Sequence, residues 1–324
     1  MSLESFLPQI PSALLELDRG YRESRIIRDV VCYNQSAIIQ FNFLAAEFHK
    51  ELRGVCMQFG FGHQARSESA NEDLLRHAVN NLDGFLNREF DSIVKSNFAY
   101  LRYFFEETKK SPNLRLGIMA PTDSVGLGLI DLYRDPPFPN SYIIRRISDY
   151  SPFSEVNQTG SYFLCNDIPN AVKAGKYFNH RIDQTRATTA SLSNEPSEAD
   201  SEWCSLWSHI GNTTNASKEE LRRTCYKSNL IIPITLANNH LSIEFQGRFP
   251  LKGLDEAIFG YLCMDSTELN FFDNPASIDI GYVVADLLCT LFMTRYVFTV
   301  YSEVYQFGLS ALLSTRKTHG GIHE

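Results

Sequence analysis

The chain lacks an excess of positive charge: 30 Lys and Arg stand against 38 Asp and Glu, for a formal net charge of −8. DNA, RNA and anionic membrane surfaces all require a basic face, so no nucleic-acid partner is expected. Long apolar runs are missing as well. The most hydrophobic stretch, 278–313, is interrupted by Asp279, Asp286, Arg295 and Glu303. It falls short of the roughly 20 uninterrupted apolar residues that a bilayer demands, so no membrane partner is expected either. The opening residues, MSLESFLPQIPSALLELDRG, hold no basic patch ahead of an apolar core; no secretory signal is read, and a cytoplasmic location is expected. Seven cysteines (Cys32, Cys56, Cys165, Cys204, Cys225, Cys263 and Cys289) form no CxxC pair and sit mostly in apolar or helical runs, as structural thiols of a reducing compartment do. The sequons at Asn157, Asn212 and Asn215 are then without meaning. GxxxxGK[ST], HExxH and GxSxG are absent, and the His and Cys residues have no metal-site spacing, so no metal is expected and the cofactor stays unknown. Gly126 and Gly128 suggest a dinucleotide turn, but its third glycine is missing.

Helical periodicity is plentiful. From Tyr21 to Val55, apolar residues recur at Ile26, Val30, Tyr33, Ala37, Phe41, Leu44, Phe48 and Leu52, in the steps of three and four that give a helix one apolar stripe. FGFGHQARSE reads as a loop. Ser69 and Glu72 have capping-box spacing, and the helix they open carries Leu75, Val79, Leu82, Leu86, Phe90, Val94, Phe98, Leu101 and Phe105 before stopping at Ser111-Pro112. Two such helices joined by a loop predict a hairpin over 1–111. A third helix is capped by Asn274-Pro275 and continues through Ile280, Val284, Leu287, Leu291, Phe298, Tyr301, Tyr305, Leu309 and Leu312, so that 276–324 reads as a long C-terminal helix and a polar tail.

Between these helices the texture changes to short runs separated by breakers: LRLGIMA, GLGLIDLYR, SYIIRRI, SYFLCNDI, LIIPITL and IFGYLCMDS. Such spacing predicts an antiparallel sheet, with 230–236 and 258–266 as neighbouring strands joined through turns at Asn238-Asn239 and Gly247. The fold class is therefore α+β. Asp183–Tyr226 is long and polar. Ser191–Ser201 has little to bury and is expected to be mobile, whereas Ser217 and Glu220 cap a short helix.

A Pro-containing aliphatic strand followed, after a polar connection, by Phe-Gly-aromatic-Leu-x-x-Asp-Ser resembles the last two strands of a GAF domain, the small-molecule sensor fold. The resemblance spans about 112–291. It implies two strands forming a hairpin, a helical excursion, a third strand near Gly160-Ser-Tyr-Phe-Leu-Cys-Asn-Asp, a helical lid, two more strands and a closing helix. A sensor sheet of the PAS kind, or an unrelated α+β domain, fits the same pattern less fully. What the resemblance implies is a non-enzymatic cytoplasmic sensor that binds a small molecule and signals to a partner protein through helix packing in a homodimer.

The expected pocket has Tyr162, Leu164, Asn166, Ile232 and Tyr261 as its floor, Trp203 and Trp207 docking a lid over 183–226, and Arg181, Arg222 and Arg223 near an anionic group. An arginine fork suits carboxylate or phosphate, although surface arginines are commonly only solvated. Asn-Asp-Ile-Pro at a strand end is equally the pattern of an Asx turn. Two alternatives stay open. One is an interaction protein whose GAF-like core holds no ligand. The other is the branch of the family that reduces free methionine sulfoxide, for which Cys165, Cys204 and Cys225 are the available thiols; no spacing here matches a motif that carries over residue by residue.

Overall fold

The computed structural model describes residues 68–111, 113–122, 128–135, 145–189, 196–207, 225–237 and 256–293, with isolated positions elsewhere. Almost all of the expected helix over 21–55 lies outside these residues. So do the loop at 59–67, the turns at Asn238-Asn239 and Gly247, the cap at Ser217, and the chain beyond 296. Described residues between Phe98 and Cys289 form one compact unit, and those within 30–97 and 290–324 form a second.

Helix α1, Glu68–Lys109, is 42 residues long. It is already helical at Glu68, so Ser69 stands at a helical position and not one before the helix. Its other end falls where Ser111-Pro112 requires: the Lys110 N–H donates to the Glu106 carbonyl at 2.8 Å, and Lys110 itself turns left-handed at φ 54°. In the second unit, Phe90 meets the Phe292 ring edge-on at 5.6 Å. In the first unit, Phe98, Leu101, Phe104 and Phe105 are buried.

The fold is α+β, built on an antiparallel sheet. Its strands are β1 (Leu114–Pro121), β2 (Gly128–Asp135), the two-residue edge strand β3 (Arg145–Arg146), β4 (Phe163–Cys165), β5 (Ser228–Ala237) and β6 (Glu256–Ser266), in the order β3-β2-β1-β6-β5-β4. The expected pairing of 230–236 with 258–266 is present as β5 against β6, with Ile231 opposite Cys263 and Pro233 opposite Tyr261. Two expected strands end before their apolar runs do. Ile147 leaves β3 for a single 3-10 turn, and β4 ends at Cys165 because Asp167 accepts the Asn170 N–H at 3.0 Å and Pro169 fixes the first turn of α3 (Ile168–Lys173).

Helix α2 (Ser151–Thr159) begins with Pro152 in its first turn and ends at Gly160, whose φ of 67° is the left-handed cap that glycine adopts without strain. Helices α4 (Gln184–Thr189) and α5 (Pro196–Ser205) follow α3. Helix α5 corrects part of one expectation: 196–201, read as mobile chain, is helical. Its polar start is continuous with Trp203, Leu206 and Trp207, which are buried and hold it to the protein.

The closing helix α6 is described over 276–293. Asn274 caps it as expected, its side-chain oxygen accepting the Ala276 N–H at 3.0 Å. The buried stripe runs through Ile280, Val284, Ala285 and Leu288, so Leu287 lies beside the stripe expected of it. By length and composition this helix could cross a bilayer, with a mean hydropathy of 1.6, but half of it is buried within the protein. Gly281 is why it seats so closely: a Cβ there would stand 2.1 Å from Ile232 Cδ1 and 2.9 Å from Met264 Cε. Arg102 ties α1 to the same sheet, donating to the Asp135 carboxylate at 2.8 Å and to the Leu114 carbonyl at 2.9 Å.

Candidate functional site

Side chains alternate across a strand, so the sheet has two faces with different neighbours. One face carries Ile232, Met264 and Tyr133, which meet α6 or α1. The other carries Met119, Phe163, Ile231, Tyr261 and Cys263 into a core shared with α2, α3 and the segment 177–226. The two tryptophans expected to dock a lid belong to this second core. Trp203 donates from Nε1 to the Tyr226 carbonyl at 3.3 Å, Trp207 packs on the Tyr226 ring at 4.6 Å, and Ile182 bridges to Trp207. Asn179 donates to the Tyr226 hydroxyl at 2.7 Å, which fixes the strand-like stretch that carries Arg181.

Charged residues stand on that second face, one residue in from the ends of its three adjoining strands β1, β6 and β5. Arg115 and Asn229 are both direct cross-strand partners of Asp265, so the three form one row over β1, β6 and β5. Arg115 donates from Nη2 to Asp265 Oδ2 at 2.5 Å and from Nε to the same oxygen at 3.0 Å; Asn229 donates from Nδ2 to Oδ1 at 2.7 Å. Asp265 therefore spends both oxygens within the protein. Among the described residues, Arg115 Nη1 and Asn229 Oδ1 are buried and have no hydrogen-bond partner. The guanidinium also lies over the Tyr226 ring, 4.9 Å from its centroid, where the π face favours a cation.

A cavity opens on this row. It is lined by Arg115, Gly117, Arg134, Arg181, Asn229 and Asp265, with Tyr150, Phe153, Tyr177, Tyr226 and Cys263 among its apolar and aromatic walls. Its volume is about 40 Å³ for the centres of water-sized spheres. One water needs about 10–15 Å³ on that measure, so the space suits a group of a few non-hydrogen atoms. Arg134 is paired with Asp131 at 2.9 Å.

Burial sets the protonation of these walls. It would lower the Arg115 pKa, but the Asp265 carboxylate opposes it and holds the guanidinium above its ordinary value. Burial, with Asp265 adding to it, pushes Tyr226 up to about 12 and the Cys263 thiol well above its usual range. Tyr261, buried and hydrogen-bonded to Asn157, is raised too, burial being the main cause. The site is thus a fixed guanidinium cluster among neutral phenols. No protein-family model matches the chain, and no curated protein matches it. Among the described residues there is no group of three His, Cys, Asp or Glu that could hold a metal ion.

Of the residues expected to form the pocket, Arg181 lines the cavity. Tyr261 lies in the same core, its ring 5.0 Å from that of Phe153. Trp203 and Trp207 stand behind Tyr226 without reaching the cavity wall. Arg222 and Arg223 lie outside the described residues. Tyr162, Leu164, Asn166 and Ile232 do not line the cavity, which is a correction with a single cause: all four have the opposite parity to Phe163, Cys165 and Ile231, which point into the core on the cavity side. Tyr162 is 36 % exposed and meets Tyr282 edge-on, and Asn166 Oδ1 accepts the Phe272 N–H at 3.1 Å. A strand buried on both faces is apolar throughout, so its composition does not say which set points where. Arg115, Asn229 and Asp265 were missed, although each is a polar residue inside an otherwise apolar strand, which is the signal that marks them.

Proposed function

We propose that the chain is a non-enzymatic sensor of the GAF-like kind, which binds a small molecule between the sheet and a lid over 183–226 and passes the event on through helix packing. The order of elements supports this reading. A hairpin (β1–β2), a helical excursion (α2), a short strand within Gly160-Ser-Tyr-Phe-Leu-Cys-Asn-Asp (β4), a partly helical segment, two strands (β5 and β6) and a closing helix follow one another in the order the resemblance implies. The observation that carries it is the Arg115–Asp265–Asn229 row opening on a cavity. Buried ion pairs stabilise a fold little compared with apolar packing, so charge kept buried beside a cavity is better explained by a ligand than by stability.

The relay follows from the sheet's two faces. On β6, Cys263 and Asp265 look into the cavity while Met264, between them, packs at Gly281 of α6. A displacement of β6 by a ligand is felt by the closing helix on the far side. In this reading long N- and C-terminal helices carry the signal in a cytoplasmic homodimer to a partner protein.

Native against denaturing mass spectrometry tests the first half, and light scattering after size exclusion the second. The expected outcome is a small molecule released on denaturation and a particle of twice the 36.9 kDa chain mass. A monomer of the bare chain mass, unaffected by any small molecule in a thermal-shift screen, would leave the ligand-free interaction protein as the reading.

A further inference from the structure

Two cysteines that do not line the cavity lie against each other beside it. Cys204 stands in the last turn of α5 and is half-buried, whereas Cys225, just ahead of β5, is 1 % exposed. Both are reduced. The Cys225 Sγ lies 3.9 Å from the Cys204 carbonyl oxygen. A carbonyl oxygen is about 2.4 Å from its own Cα, so the Cys225 sulfur lies within about 6 Å of the Cys204 Cα. The Cα atoms of a disulfide stand about 4.4–6.8 Å apart, and the Cys204 thiol turns on one torsion at a helix end, where the backbone frays most readily.

The contact is one of a series. Asp200, four residues before Cys204 and so on the same face of α5, is paired with Lys227. Trp203 donates to the Tyr226 carbonyl at 3.3 Å, and Trp207 packs on the Tyr226 ring. An ion pair, a hydrogen bond and a ring contact thus hold 200–207 along 225–227, which gives each thiol a high effective concentration of the other.

We propose that Cys204 and Cys225 are a redox lock, which closes as a reversible disulfide when the protein meets a hydroperoxide. Cys204, the more exposed of the two, reacts first. Its thiolate attacks the peroxide: a sulfur–oxygen bond forms, the O–O bond breaks, and the departing hydroxide takes up a proton and leaves as water. The Cys225 sulfur then displaces the remaining oxygen: the S–S bond forms, the S–O bond breaks, and hydroxide leaves with the Cys225 proton as a second water. The two sulfurs lose the two electrons that the peroxide gains, and a dithiol reverses the step. The bond fastens α5 to the start of β5. Tyr226, next to Cys225, lies under the Arg115 guanidinium in the cavity wall, so the same bond stiffens that wall. None of this requires that the cavity hold a ligand.

The test treats the full chain with excess hydrogen peroxide, alkylates the remaining thiols in denaturant and maps tryptic peptides without reduction. The peptide that carries Cys204 and ends at Lys218 should be joined to the peptide Thr224-Cys-Tyr-Lys227, and dithiothreitol should separate them. The oxidised chain should melt about 5 °C above the reduced one, since the bond closes a loop of about twenty residues. Cys204→Ser should abolish both effects. Cys225→Ser should leave Cys204 as a sulfenic acid that dimedone captures; if that variant fails to fold, Cys204→Ser and the wild-type map decide. Three results overturn the inference: both cysteines recovered alkylated, Cys204 recovered as sulfinic or sulfonic acid beside an alkylated Cys225, or either one joined to a third cysteine. A mapped Cys204–Cys225 bond with no rise in melting temperature overturns the lock.

Discussion

Arg115 on β1 and Asp265 on β6 face each other in register, 2.5 Å apart at their closest atoms, with side chains only 14 % and 12 % exposed. The pair is desolvated, and each member is the main reason the other is tolerated. Asp265→Asn should therefore cost about 3 kcal/mol, since it leaves a buried guanidinium without its carboxylate. Urea unfolding checks this; a loss below about 1 kcal/mol would mean that solvent reaches Arg115 and screens it.

Gly281→Ala should destabilise the protein by about 1–3 kcal/mol, the cost of overpacking, because the added methyl group meets Ile232 and Met264 where α6 crosses the sheet. The double variant Gly281→Ala with Ile232→Val tests the cause. Partial recovery of the melting temperature is expected, and none would locate the damage in the helix itself.

Stability should fall at alkaline pH. Tyr226 is raised to about 12, Cys289 to about 11, and Tyr177, Tyr261 and Cys263 are raised as well, burial being the first cause in each case. Between the ordinary and the raised pKa the unfolded chain has lost protons that the folded chain keeps, so stability declines as pH rises. Thermal melts should give a flat profile near neutrality and a decline from about pH 9 to about 12. A melting temperature constant across that interval would contradict the burial of these groups.

Cysteine chemistry in the cavity wall and on β4 should be quiet. Cys263 is buried in the cavity wall with its thiol held well above the usual range, and Cys165 is raised in the same direction by burial. Alkylation of the native chain should leave Cys263 untouched and reach Cys165 slowly, because the thiolate is the reactive form. Turnover of free methionine sulfoxide that disappears on replacing Cys165, Cys204 or Cys225 would instead establish the reductase and end the non-enzymatic reading.

Periodicity made the elements readable and left their facing unreadable. The β5–β6 pair, the stop of α1 before Pro112 and the Asn274 cap all follow from local chemistry, and local chemistry is what a sequence carries. The pocket floor does not. Ile231 and Ile232 are both buried, one toward the lid and one toward α6, and nothing in their identity distinguishes the two directions. Helix α2 is another case: the resemblance implies a helical excursion between hairpin and third strand, and only its packing, with Phe153 on Tyr150 and Tyr261, shows which way its apolar side points. Charged and amide residues near the ends of apolar strands are the signal that the reading passed over, because a buried guanidinium must be answered by something nearby.

The pairing of β1 with β2 slips by one residue between Ile118 and Met119, opposite the step from Asp131 to Tyr133, and Leu132 is the residue left over. Asp131 and Arg134 consequently reach the cavity together, while Tyr133 and Asp135 turn to Phe98 and Arg102 of α1. Leu132 is thus a position where the chain can lose a residue and keep its sides: shortening β2 by Leu132 would leave every later side chain on the face it now occupies. The same loss at Gly117 or Leu230 would turn the rest of the strand inside out. Insertions and deletions in relatives of this protein should accordingly gather at the slip and spare the row that holds Arg115, Asp265 and Asn229.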